Sequence, residues 1–118
     1  KSLLSLAVMF VLSTTTVQHV PTFASFNPAR LLDTRADGET TDGLFIGHGR
    51  IDPGVEFALQ VGGRGGVEAD DAAVSLNVTA TDATGTGFVT VWPCGTAKPL
   101  ASSLNFVRSE AVANAVIT

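Results

Sequence analysis

Short runs of alternating apolar and polar residues, cut by glycine turns, most constrain what this chain folds into. Val55, Phe57, Leu59 and Val61 alternate with Glu56, Ala58 and Gln60. Val74, Leu76 and Val78 do the same within 73–81 (AVSLNVTAT). A period of two sends successive side chains to opposite faces, as a half-buried strand requires. Residues 55–61 are therefore predicted to be a strand. Segments 73–81 and 88–92 (FVTVW) are predicted to pair as one hairpin over the glycine-containing loop 82–87. Further strands are expected at 44–46, 103–107 and 112–117. Asp37-Gly38, Asp42-Gly43 and Asp52-Pro53-Gly54 read as turns between them. No helix is expected after the first two dozen residues. The fold class that follows is all-β, an antiparallel β-sandwich or a barrel-like closure.

The N-terminal residues belong to a different class. Leu3 to Leu12 (LLSLAVMFVL) is an apolar run behind Lys1. A membrane-spanning helix needs roughly 20 apolar residues, so this run is short for one. A positive charge, an apolar stretch and Thr22-Phe23-Ala24 before Ser25 fit a secretory signal peptide. Residues 1–24 are thus expected to be an export leader and 25–118 a single small domain. The leader inflates the 45% hydrophobic content. The chain starts at Lys1 and stops at Thr118 inside the apolar pattern of 112–117, so the domain is expected to be C-terminally incomplete. A net charge of −4, with seven scattered Lys and Arg, argues against nucleic acid and anionic membrane surfaces as partners. Any membrane contact would run through an uncleaved leader.

The densest chemistry lies in Pro28-Ala29-Arg30-Leu31-Leu32-Asp33-Thr34-Arg35. In a strand, Leu31, Asp33 and Arg35 share one face and Arg30, Leu32 and Thr34 the other. Asp33 would then pair with Arg35, or with Arg30 where the backbone bends. A carboxylate between two guanidiniums tolerates burial, because the Arg fork meets both of its oxygens. Arg30, Asp33 and Arg35 are read first as a structural ion-pair latch; the alternative is an anion-binding or catalytic site.

Other candidate chemistry is sparse. His48 lies between glycines with no second ligand at metal spacing, and reads as a solvated loop residue. The glycine-rich stretch 62–66 departs from a dinucleotide loop: Ala69 takes the third glycine position and no helix follows. Asp33, Asp70, Asp71 and Asp82 offer carboxylates, but no spacing selects a glycosidase pair. Asp70-Asp71 or Asp82 would suit a calcium ion only as a minor reading. Asn77, Asn105 and Asn114 sit mid-strand, where buried amides would bond to loop or bulge backbone; Asn77-Val78-Thr79 matches the glycosylation acceptor pattern but, inside a paired strand, is expected to go unused. Trp92 shares a strand face with Phe88 and reads as core; exposed, it would be a ligand-facing, sugar-stacking aromatic. Cys94 is the single cysteine, which in a secreted protein means a free thiol or a partner outside this sequence.

Five segments in order carry a family resemblance: PARLLDTR at 28–35, AVSLNVTAT at 73–81, GFVTVWPCG at 87–95, SSLNFV at 102–107 and ANAVI at 113–117. Together they resemble the β-rich domain of secreted bacterial surface proteins marked by an R-L-L-D-T-R segment. The resemblance spans about 26–118. It implies an extracellular domain attached to other modules, with no settled chemistry. Members of that family continue through a glycine turn and further strands to a D-V-x-G-Y-F ending. Some carry a second cysteine there, which would be a disulfide partner for Cys94.

The expected function is a non-catalytic secreted or cell-surface module for binding or adhesion, or an accessory to neighbouring domains. Its partners would be cell-wall glycan or a surface protein, and no cofactor is called for. A structural spacer, or a subunit of a surface layer or filament, is the alternative. Part of a secreted hydrolase ranks last.

Overall fold

The computed structural model describes residues 22–25, 27–70 and 73–118. Most of the expected leader, residues 1–21, lies outside them. Regular structure among the described residues is strand alone, so the domain is all-β. No helix among them is long and apolar enough to cross a membrane. Among the described residues four strands form: β1 (Ser75–Ala80), β2 (Gly87–Val89), β3 (Leu104–Phe106) and β4 (Val112–Ile117).

They build two antiparallel two-stranded sheets, β1 with β4 and β2 with β3. The hairpin expected from 73–81 and 88–92 does not form. β1 instead pairs along its whole length with β4, from Ser75 opposite Ile117 to Ala80 opposite Val112. The ladder runs one pair further, with reciprocal bonds between Val74 and Thr118 at 2.9 and 3.1 Å. β1 and β4 are both six residues, whereas β2 has only three. Past Val89 the segment is tied partly through side chains. The Thr90 hydroxyl donates to the Ala101 carbonyl, and the Val91 N–H donates to Ser103 Oγ. Pro93 then lacks the N–H a ladder needs.

The β2–β3 hairpin is nested inside the β1–β4 pair. Asn114 of β4 donates its amide to the Ser103 carbonyl at 2.6 Å, joining the two sheets. The Ser109 N–H, bonded to the Ala83 carbonyl, closes the connecting loops on each other. Gly87 stands opposite Phe106. A Cβ at 87 would lie 2.7 Å from the Phe106 ring, so the ring rests on bare β2 backbone.

The alternation at 55–61 has the predicted facing only from Phe57 onward, since Val55 is 54% exposed, and it lacks the predicted ladder. Phe57, Leu59 and Val61 are half-buried and Glu56, Ala58 and Gln60 exposed, yet the segment forms no strand. Residues 44–46 also stay irregular: Ile46 makes an isolated parallel bridge to Asp33, and Phe45 is left-handed at φ 56°. The buried apolar set is small, Leu31, Val67 and Leu104. Two buried charged residues, Asp33 and Arg64, stand beside it.

Candidate functional site

Asp33 sits where a parallel bridge and a turn converge. Its N–H donates to the Phe45 carbonyl at 3.1 Å, and its carbonyl accepts from Gly47 at 2.9 Å. Leu31 and Asp33 are thereby held inward. Arg35 folds back two residues and grips both carboxylate oxygens, Nε on Oδ1 at 2.9 Å and a terminal nitrogen on Oδ2 at 2.7 Å. The Arg35 N–H adds a bond to Oδ1 at 3.2 Å. Arg30 donates to Oδ2 at 3.1 Å from three residues before. Both arginines therefore meet Asp33. The carboxylate is 6% exposed and the guanidinium side chains 58% and 52%, so the charge is shielded on one side and hydrated on the other. The Arg35 bonds, with burial working against them, hold the Asp33 carboxyl well below the usual carboxylate range. Asp33 in turn pushes Arg35 further up.

Gly38 completes the packing around this group. Its N–H donates to the Arg35 carbonyl at 3.1 Å, closing the turn that begins at Arg35. A Cβ here would stand 2.6 Å from the carboxyl carbon of Asp33. The Asp37-Gly38 pair marks the turn in the sequence, but what fixes glycine at 38 is the carboxylate pressed against it.

A second ionic group was not legible in the sequence. Arg64, inside the glycine run 62–66, is buried with a side chain 5% exposed. It grips Asp42, Nε on Oδ2 at 2.6 Å and a terminal nitrogen on Oδ1 at 2.9 Å. The same fork donates to the carbonyls of Gln60 at 2.6 Å and Leu31 at 2.9 Å. Its carbon lies 4.7 Å from the Phe45 ring centre, and Phe57 meets that ring edge-on. Five donors in a fixed plane let one residue satisfy a carboxylate and two carbonyls together. The Arg64 bonds hold Asp42 below the usual carboxylate range, and Asp42 raises Arg64. The surrounding glycines permit close approach. Gly65, at φ 58°, would bring a Cβ to 2.7 Å from Ala29 and 3.0 Å from Leu31. The run is thus a cradle for the chain's own backbone, and 28–68 is tied together by two guanidinium–carboxylate forks rather than by ladders.

The remaining candidates are scattered. His48 is exposed and meets the Phe57 ring edge-on at 4.8 Å. Trp92 is half-buried with the Lys98 ammonium 5.7 Å from its ring centre. Phe88, expected to share core with it, is 63% exposed. Solvent takes that face because Phe88 stands opposite exposed Asn105, while Val89 stands opposite buried Leu104 on the other. Cys94 is a free, exposed thiol among the described residues. Asn77, Asn105 and Asn114 are all exposed. No group of three His, Cys, Asp or Glu suited to a metal ion occurs among the described residues.

An open groove of about 480 Å³ runs beside the β2–β3 hairpin, lined by Phe88, Asn105, Phe106, Val107 and Glu110 among others. Asn105 accepts the Ser102 hydroxyl at 2.6 Å on its side-chain oxygen. No protein-family model matches this chain, and no curated protein or solved structure matches it significantly.

Proposed function

We propose that residues 25–118 are the two leaves of an antiparallel β-sandwich serving as a non-catalytic binding or accessory module of a secreted or cell-surface protein. Residues 1–24 act as its export signal. The observation that carries this reading is the groove on the β2–β3 hairpin. It combines an aromatic face 63% exposed at Phe88, an amide donor at Asn105 and a carboxylate acceptor at Glu110. Sugars need this combination: their C–H faces stack on aromatic rings and their hydroxyls bond to amides and carboxylates. Cell-wall glycan is the ligand class that fits best, with a surface protein second. Trp92, half-buried beyond the end of β2, is a second aromatic available to such a ligand. Arg30, Asp33 and Arg35 act as an internal latch, because Asp33 spends its oxygens on its own arginines.

A structural role, as a spacer or a subunit of a surface layer or filament, is the second reading. The uncharged, open-edged strands β1 and β4 favour it. A cell-wall pulldown and glycan array with the wild type, Phe88→Ala and Trp92→Ala tests the binding reading. Phe88→Ala should lose glycan retention while melting as the wild type does. Retention unchanged by both substitutions, or no retention by the wild type, overturns it.

A further inference from the structure

The β1–β4 sheet has two strands, and a sheet of two is marginal in water without a further strand or cover. Its hydrogen bonding shows which groups remain unused. Val74 and Thr118 exchange two bonds. Antiparallel ladders alternate bonded and non-bonded pairs. Counting from that pair, Leu76–Val116, Val78–Asn114 and Ala80–Val112 are the bonded pairs. The N–H and C=O groups of Ser75, Asn77 and Thr79, and of Ala113, Ala115 and Ile117, therefore point away from the ladder. None of these six has a backbone partner among the described residues.

Natural edges are blunted by charge, proline or a bulge. Neither strand carries a charge or a proline, and their register is unbroken. The β1 edge is lined by polar Ser75, Asn77 and Thr79. The β4 edge is lined by Ala113, Ala115 and Ile117, and Ile117 is 79% exposed. That edge matches itself. Two copies placed antiparallel about Ala115 set Ala115 against Ala115, and each Ile117 against the other's Ala113. The large exposed side chain thus meets a small one. The residue sum across such a pair is even, so the half-buried face of β4 stays on one side of the joined sheet. No like charges oppose each other in it.

We propose that β4 is a homodimerisation edge: two copies of this chain pair through Ala113, Ala115 and Ile117 into a four-stranded sheet ordered β1–β4–β4–β1. The pairing through β4 is two-fold, so this contact closes at a dimer and leaves the two β1 edges outermost. This goes beyond the binding reading and does not depend on it.

Sedimentation velocity of the full chain, under reducing conditions that prevent linkage through Cys94, tests it. The wild type should show a monomer–dimer equilibrium. Ala115→Pro removes the two central N–H donors while facing away from β1, and should weaken association by roughly tenfold to a hundredfold. Ala115→Lys, whose side chain lies on the exposed face, opposes two like charges and should weaken it in the same direction. Asn77→Lys on the β1 edge should leave it unchanged. Far-UV circular dichroism checks that each variant keeps the wild-type fold, and Ala115→Lys remains decisive if the proline variant does not. A wild type monomeric at high micromolar concentration, a dimer indifferent to Ala115→Lys, sensitivity to Asn77→Lys instead, or an open series of larger species would each overturn the proposal.

Discussion

Replacing Gly38 by alanine probes the packing around Asp33 with a single methyl group. The backbone at 38 is not among the left-handed positions, so alanine meets no conformational penalty there. The obstacle is contact alone. The new Cβ would stand 2.6 Å from the Asp33 carboxyl carbon and 2.8 Å from Oδ1. Asp33 cannot swing aside without giving up some of the bonds from Arg30 and Arg35. Overpacking of this kind costs about 1–3 kcal/mol. The stiffer unfolded chain returns about 0.4–1 kcal/mol. The net loss is about 1–2 kcal/mol, and at ~4–8 °C per kcal/mol for a domain of this size the melting point falls by ~4–16 °C. Removing the carboxylate should remove the clash. In an Asp33→Ala background, Gly38→Ala should be neutral or stabilising by about 0.4–1 kcal/mol. Gly43→Ala is the control, since Gly43 has φ 75° and nothing within 4 Å. It should cost about 1–2 kcal/mol, the same in both backgrounds. Urea denaturation followed by circular dichroism gives all five variants. An equal cost for Gly38→Ala with and without Asp33, or no cost in the wild type, refutes the reasoning.

Two further outcomes follow from the ionic groups. Arg64→Met should destabilise the domain more than Arg30→Met. It strips donors from the Leu31 and Gln60 carbonyls and the counter-charge from Asp42, whereas the Arg30 side chain is 58% exposed and makes one bond; equal melting points would contradict this. Acid should unfold the domain in a defined window. Asp33 and Asp42 are both depressed in the folded state, so between their folded values and the unfolded value of about 3.9 the unfolded chain binds more protons. Their contribution is complete above that unfolded value and drains as pH falls below it. A melting point flat across the acid range would count against both forks.

What the sequence revealed divides along physical lines. β1 lies within 73–81 because its residues alternate about one half-buried face, and β4 is legible at 112–117 as a short apolar run of strand length. Alternation records facing and says nothing of partners. That is why 57–61 keeps its half-burial without a ladder, and why proximity in sequence points β1 to 88–92 when its partner is β4. The Asp33 contacts were legible because the partners lie two and three residues away, within reach of side-chain arithmetic. Arg64 was hidden because Asp42 is 22 residues off. Its only trace was glycine on both sides, which reads equally as a flexible loop.

Asp33 belongs to the framework and not to a ligand site. Thermal denaturation of Asp33→Ala tests it most directly, read beside glycan retention by the same protein. Arg30 and Arg35 would lose their shared acceptor, and the Arg35–Gly38 turn its contact. A lower melting temperature is expected, with retention lost in parallel as the fold weakens. An unchanged melting temperature with retention abolished would contradict it, and would make Asp33 a binding residue.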